Sequence, residues 1–173
     1  MNRAFIDYNL TNAPAESRAI LAETQRKFGK IPSPLARLAA SPVALQAALA
    51  GLGSFDHSSL TPLEREVLAM TMARKNGCHY CLALHRRMLR AVDAPAGLCE
   101  ALEAGASLDP PKLEALRDFV LALLEHTGDV PAPAWQAFLA AGFDRAAALE
   151  VVMGIGAYTL TTFANRLSEA PLD

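Results

Sequence analysis

The sequence predicts an all-α fold, and three observations support this prediction. Aromatic residues make up only 6% of the 173 positions, and apolar residues rarely fall in the β-branched, alternating runs typical of strands. Proline and glycine divide the chain into helix-sized pieces without an internal repeat. At 52% hydrophobic residues, the chain can bury one core. We therefore expect one all-α domain over residues 1–173, a bundle of about seven or eight helices.

The first two predicted helices are delimited by proline and glycine. Residues 14–28 are predicted to form a helix that Gly29 and a proline-rich turn close. Residues 35–52 are predicted to form the second helix. Pro42 should break or kink it, because proline lacks the N–H group that a helix interior needs.

The third predicted helix has the clearest start. Thr61 supplies an N-cap hydroxyl, Pro62 occupies the first helical position and Glu64 the third, which is a capping box. This helix should end near residue 75, where an Asn-Gly pair favours a left-handed stop.

Four further breaks delimit the remaining helices. One helix is predicted over residues 78–92, followed by a short one from about residue 95 to Gly105. Consecutive prolines at positions 110 and 111 open the next helix, which runs toward His126. A short helix over residues 133–141 and a long one from the N-cap Asp144 to about residue 167 complete the chain.

Charge and the ends of the chain limit the partners. With 16 Lys+Arg and 18 Asp+Glu the net charge is -2, so the chain has no strongly basic surface for nucleic acid, and no nucleic acid is expected as a partner.

Asp7 and Asn9 interrupt any N-terminal apolar run, so we expect no secretory signal and a cytoplasmic location. Residues 146–164 approach the length of a membrane span but include Glu150 and three threonines. We interpret them as a buried helix and expect no membrane partner.

One segment carries most of the chemistry. The stretch NGCHYCLALH places Cys78, Cys81 and His85 at steps of three and four, which is one face of a helix. The two sulfurs are then within disulfide reach. The positive end of the helix favours thiolate, and a nearby imidazole can accept the proton. The pattern therefore predicts a reactive dithiol.

Three other kinds of site could use the same cysteines and histidine. A c-type haem would need histidine directly after the second cysteine, where Leu82 stands, so no haem is expected. A zinc site needs four ligands, and Cys99 is a possible fourth, although it is more typical of packing. Two buried, unreactive cysteines remain a further alternative. We expect neither a metal nor a cofactor.

A resemblance to a known family sharpens this interpretation. Residues 61–97, with Leu60 before them, resemble the core of the alkylhydroperoxidase AhpD family in the carboxymuconolactone decarboxylase-like superfamily. The family pattern is a glutamate, eleven residues and C-x-x-C-x-x-x-H on two antiparallel helices, which Glu66 completes here. Upstream, FGKIP and ASP resemble the peroxidase-related branch. The likeness extends over about residues 20–95.

The resemblance implies a thiol-dependent peroxidase with a proton relay. Cys81 would be the peroxidatic thiol and Cys78 the resolving one, although the helix dipole alone favours Cys78. His85 would deprotonate Cys81 and Glu66 would orient His85. Tyr80 stands where studied members carry histidine, and its phenol is a poor base near neutral pH but could hydrogen-bond a relay water.

The implied partners are a small hydroperoxide, an unidentified thiol or dithiol reductant, and other copies of the chain in a dimer, trimer or hexamer. Alternatives are a decarboxylase-like enzyme of the same fold, and a non-enzymatic oligomer that binds zinc or a small ligand or senses redox state. Residues 64–66 alone could be a solvated first helical turn. In the last helix, Tyr158, Asn165 and Arg166 could line a pocket or a subunit contact, although ordinary core and surface positions are favoured.

Overall fold

The computed structural model describes residues 5–173. Residues 1–4, part of the segment in which we expect no secretory signal, lie outside the described residues. The described chain contains nine α-helices and no strand, which confirms the predicted all-α class. In order, they are α1 Ala15–Phe28, α2 Ser33–Leu38, α3 Pro42–Asp56, α4 Pro62–Lys75, α5 His79–Ala91, α6 Leu98–Ala104, α7 Pro111–Glu125, α8 Ala132–Ala140 and α9 Arg145–Leu167.

The second predicted helix is two helices, because a cap and a proline act together at one point. The Ser41 hydroxyl accepts a hydrogen bond from the Ala44 amide, and Pro42 occupies the first position of α3. A capping hydroxyl and a proline at the first position are features of a helix N-terminus, so a new helix begins here and the chain is not one kinked helix. The predicted break at Pro42 is therefore a complete interruption between α2 and α3.

Both ends of α4 form as the sequence predicts. Thr61 Oγ1 accepts from the Glu64 amide at 3.2 Å, and Glu64 Oε2 accepts from the Thr61 amide at 2.8 Å, which completes the capping box. At the other end, Gly77 has φ of 63°, a left-handed conformation that glycine adopts without strain. The chain then reverses directly into α5.

Helix α4 is the centre of the molecule. Its residues 66–73 are all buried, so this part of the helix is buried around its whole circumference. The extent of this burial follows from its neighbours, since α5, α6, α7 and α9 all pack on α4. Chemical groups carried by α4 are thus held in a rigid, largely water-free interior.

Helix α9 is buried along one face only, so the buried helix predicted over residues 146–164 is buried on the side that faces α3 and α4. Gly154 lies so close to α3 that an added Cβ would stand 2.6 Å from the Phe55 ring, so this glycine serves packing within the chain. The opposite face exposes a row of residues at steps of three and four, which we call the outer strip: Leu149, Val152, Gly156, Leu160, Phe163 and Leu167. An apolar helix can bury its inner face within one chain and still expose its outer one.

By length and composition, α9 is also the one helix in residues 5–173 that could cross a membrane. Only 28% of its most apolar 18-residue window is buried. The packing of its inner face on α3 and α4 makes it part of the helical core on that side.

Candidate active site

The two cysteines of the motif form a disulfide at the start of α5. Cys78 and Cys81 have Cα atoms 5.3 Å apart, as the three-residue spacing predicts. Cys78 is the N-cap residue, and its sulfur accepts the Cys81 amide at 3.3 Å. Cys81 keeps 5% of its surface exposed and Cys78 only 1%. Any oxidant or reductant that reaches the pair must be small, or the pocket must open.

Glu66 and His85 face each other in the interior between α4 and α5. Glu66 Oε2 lies 2.8 Å from His85 Nδ1, and both side chains are buried. Because an ionised carboxylate only accepts hydrogen bonds, Nδ1 carries the proton and Nε2 is left as the basic nitrogen. Glu64 is buried as well as Glu66. The alternative that residues 64–66 form a solvated helical turn is therefore wrong for both glutamates.

Tyr80 lies beside the disulfide, but its hydroxyl is directed to the end of the chain. It donates to Asp173 Oδ2 at 2.7 Å, and the other oxygen of Asp173 accepts the Ser33 amide at 3.0 Å. Burial, reinforced by the neighbouring Asp173, raises the pKa of Tyr80. The phenol is thus a donor to a carboxylate at neutral pH and not a base. His79 is exposed and does not replace it.

Helix α9 contributes two residues that the sequence analysis placed among ordinary positions. The ring of Tyr158 contacts His85 edge to face, with centroids 5.3 Å apart. Asn165 Nδ2 lies 3.4 Å from Cys81 Sγ. The only sequence signal was their seven-residue spacing, which places both on one helical face with Thr162. Arg166, in contrast, lies at the surface and donates to the Asn76 carbonyl at 2.7 Å.

A small cavity of about 190 Å³ adjoins this group. The buried Glu66 and Tyr158 line it, together with Arg65 and Met88. Burial, with Glu66 and Asp56 nearby, raises the pKa of Tyr158. A larger cavity of about 530 Å³ lies between α7, α8 and α9 and contains none of the site residues.

Cys99 lies apart from the dithiol. It stands on α6 with its sulfur 3.8 Å from Glu103 Oε1, and burial together with Glu103 raises the pKa of the thiol. Within residues 5–173, no group of three or more His, Cys, Asp or Glu side chains could hold a metal ion. Cys99 therefore does not act as a fourth ligand for Cys78, Cys81 and His85.

The fold and the site define an all-helical protein whose buried dithiol lies one helical turn from a glutamate–histidine pair. Residues 40–109 match the Carboxymuconolactone decarboxylase family. This match and the AhpD-like fold of the described chain confirm the predicted resemblance.

Solved structures show the extent of that fold. A peroxidase-related protein with an alkylhydroperoxidase AhpD core from Ralstonia eutropha JMP134 aligns with a TM-score of 0.85 at 22% identity, covering 98% of this chain and 91% of that one. A peroxidase-related protein from Silicibacter sp. TM1040 aligns with a TM-score of 0.75 at 21% identity, covering 100% and 92%. The search of curated proteins found no significant match.

Proposed function

We propose that the protein is a thiol-dependent peroxidase that reduces small hydroperoxides through Cys78 and Cys81. The observation that carries the proposal is the buried contact of 2.8 Å between Glu66 and His85, on the same face of α5 as a cysteine pair joined by a disulfide. Packing alone does not explain a buried carboxylate and imidazole on the helix face that carries the two sulfurs. An imidazole that removes the thiol proton, held in place by a carboxylate, does explain them.

The proposed cycle begins with proton transfer from Cys81 to His85 Nε2, with Glu66 holding Nδ1. The Cys81 thiolate attacks the terminal oxygen of the hydroperoxide, the O–O bond breaks, and the alkoxide takes the proton from His85. Cys81 is then a sulfenic acid. The Cys78 thiol attacks that sulfur, the S–O bond breaks, and the hydroxyl takes the Cys78 proton and leaves as water. The cycle therefore yields one alcohol, one water and one disulfide.

Two features support Cys81 as the attacking sulfur. It lies four residues, or about one helical turn, before His85. It is also the more exposed of the two cysteines, while Cys78 is held at the N-cap by the Cys81 amide. We propose that a thiol or dithiol reductant of the cytoplasm regenerates the pair, since disulfides are kept reduced there.

The test uses the reduced protein and a stoichiometric amount of hydrogen peroxide. We expect one Cys78–Cys81 disulfide per peroxide consumed, measured by mass spectrometry of alkylated peptides, and turnover when dithiothreitol is added. Cys81→Ser should abolish consumption, and Cys99→Ser, the matched control, should preserve it. If both thiols stay alkylatable under peroxide that oxidises a control thiol, the proposal fails and a decarboxylase-like role becomes the stronger candidate.

We further propose that the protein is a homo-oligomer in which the outer strip of α9 is a subunit contact. The strip is apolar along the helix, with Leu149 73% and Phe163 56% exposed. A row of this length on a folded domain favours association. Since Asn165 lies on the inner face of the same helix, such a contact would lie close to the dithiol.

Light scattering coupled to size exclusion tests this contact. We expect a mass that is a multiple of the 18.4 kDa chain, and Phe163→Glu should reduce it toward the monomer. Val43→Glu is the matched control, because Val43 is 78% exposed on α3 and lies outside the outer strip. A wild-type monomer at micromolar concentration would exclude the proposed assembly.

A further inference from the structure

Asn165 is the polar side chain that α9 brings to the sulfurs. Its Nδ2 lies 3.4 Å from Cys81 Sγ and 4.0 Å from Cys78 Sγ, and the residue is 8% exposed. A carboxamide nitrogen is a donor only. Helix α9 therefore presents a hydrogen-bond donor to the disulfide, closer to Cys81 than to Cys78.

The other end of the same carboxamide has no partner. Asn165 Oδ1 is fully buried and accepts no hydrogen bond from the rest of the described chain. Leaving a buried acceptor unsatisfied is costly, and such atoms in folded proteins call for a functional explanation. An apolar residue of similar size would avoid this cost, so asparagine at this position makes the fold less stable than an apolar residue would.

The position of Asn165 is fixed by its neighbours on α9. One turn earlier, Thr162 accepts a hydrogen bond from Asn76 Nδ2 at 2.8 Å, and one residue later Arg166 donates to the Asn76 carbonyl. Asn76 ends α4 just before the cysteines. These two contacts hold α9 against the corner that carries the dithiol and leave the carboxamide little freedom to turn away.

We propose that Asn165 is a catalytic residue of the dithiol site: Nδ2 donates to the Cys81 sulfur, and Oδ1 accepts the O–H of the bound hydroperoxide. This inference rests on the proposed peroxidase function. When the Cys81 thiolate attacks the hydroxyl oxygen, the negative charge moves from sulfur to the leaving alkoxide, which takes its proton from His85. The hydroxyl proton stays on the transferred oxygen, so Oδ1 can hold it in the hydroperoxide and in the sulfenic acid alike.

Two functions of one carboxamide are separable by experiment. Alkylation of Cys81 by iodoacetamide needs only the thiolate, whereas reaction with peroxide needs the thiolate and an oriented O–H group. Asn165→Leu removes both donor and acceptor at similar size. Asn165→Asp keeps an acceptor and replaces the donor by a negative charge. Thr161→Val is the matched control, since the Thr161 hydroxyl donates within α9 to the Ala157 carbonyl and contacts neither Asn76 nor a sulfur.

Alkylation rates of the reduced proteins from pH 5 to 10, assigned to Cys81 by fragmentation of the shared peptide, test the donor. We expect alkylation near pH 7 to slow about tenfold in Asn165→Leu, because a hydrogen bond to a charged group is lost. Asn165→Asp should slow it further, and Thr161→Val should match the wild type. If both variants show the alkylation pH profile of the wild type, the donor role is wrong. If Asn165→Leu does not fold, the alkylation profile of Asn165→Asp alone decides.

Hydrogen peroxide rates at a pH where the Cys81 thiol is fully ionised test the acceptor. We expect Asn165→Leu to remain about tenfold slower there, because the O–H group of the peroxide is no longer oriented. If its rate equals that of the wild type, the acceptor role is wrong. If the wild type itself does not react with peroxide, the proposed function and the acceptor role fail together, while the alkylation profiles still decide the donor role.

Discussion

The first and second turns of α4 each bury a glutamate, and the two carboxylates have different partners. Glu64 accepts from the Thr61 amide at 2.8 Å and contacts Lys112 Nζ at 2.7 Å. Glu66 contacts the His85 imidazole at 2.8 Å. A lysine ammonium stays charged near neutral pH, whereas an imidazole gains and loses its proton there. Burial and contact distance are similar in the two turns, but the first turn pairs with a lysine and the second with the histidine that we propose for proton transfer.

The largest effect should separate the two turns by rate. Glu66→Gln and His85→Ala should each slow oxidation of Cys81 by peroxide about 10²–10⁴-fold, the range for a positioned general base. Glu64→Gln should leave the rate close to that of the wild type, because Glu64 has no contact with His85. Stopped-flow oxidation across pH is the measurement. A Glu66→Gln protein with unchanged rate and pH profile would make Glu66 a structural residue like Glu64.

The next effect should separate them by stability. Thr61→Ala removes the N-cap acceptor of α4 and should cost about 1 kcal/mol of the free energy of unfolding. For a domain of this size that corresponds to a melting temperature about 2–4 °C lower. Calorimetry gives the shift, and the peroxide rate of the folded protein should not change. A rate loss as large as that of Glu66→Gln would show that the first turn also serves the chemistry.

Acid should weaken the first turn through Glu64. Burial raises the pKa of Glu64, but hydrogen bonds from Lys112 and Thr61 outweigh it, so the pKa lies below its usual value. A carboxylate with a lowered pKa stabilises the fold above the unfolded-state pKa of about 4.3 and loses that contribution as pH falls further. Urea unfolding of wild type and Glu64→Gln should therefore differ more at pH 7 than near pH 3. A difference independent of pH would show that the charge of Glu64 does not stabilise the fold.

The smallest effect concerns a third carboxylate, Asp173, which is paired with a phenol. Asp173→Asn should lower the pKa of Tyr80, because the charge that helps to raise it is removed. Absorbance at 295 nm during alkaline titration measures this, with Tyr80→Phe to assign the signal. We expect Tyr80→Phe to slow peroxide reduction less than Glu66→Gln does, because its hydroxyl donates to Asp173. An equal loss of rate would place Tyr80 in the relay.

Much of the site could be read from the sequence because it is local. Cys78, Cys81 and His85 lie within eight residues, and helical geometry alone places them on one face. Glu66 is one helix earlier, and a short turn between two helices brings it back beside His85. Their roles in catalysis remain predictions. The burial of Glu64 could not be read in this way, since its partner Lys112 lies on α7, far along the chain.

The sequence by itself determined the all-α class, the capping box of α4, the glycine stop and the spacing of the dithiol, because each depends on backbone geometry within a few residues. The packing of the helices against one another sets which face of α9 is buried, brings Gly154 against Phe55 and brings Asn165 to the Cys81 sulfur. These contacts join residues more than eighty positions apart, and helical periodicity gives the faces of a helix without saying which neighbour each one meets.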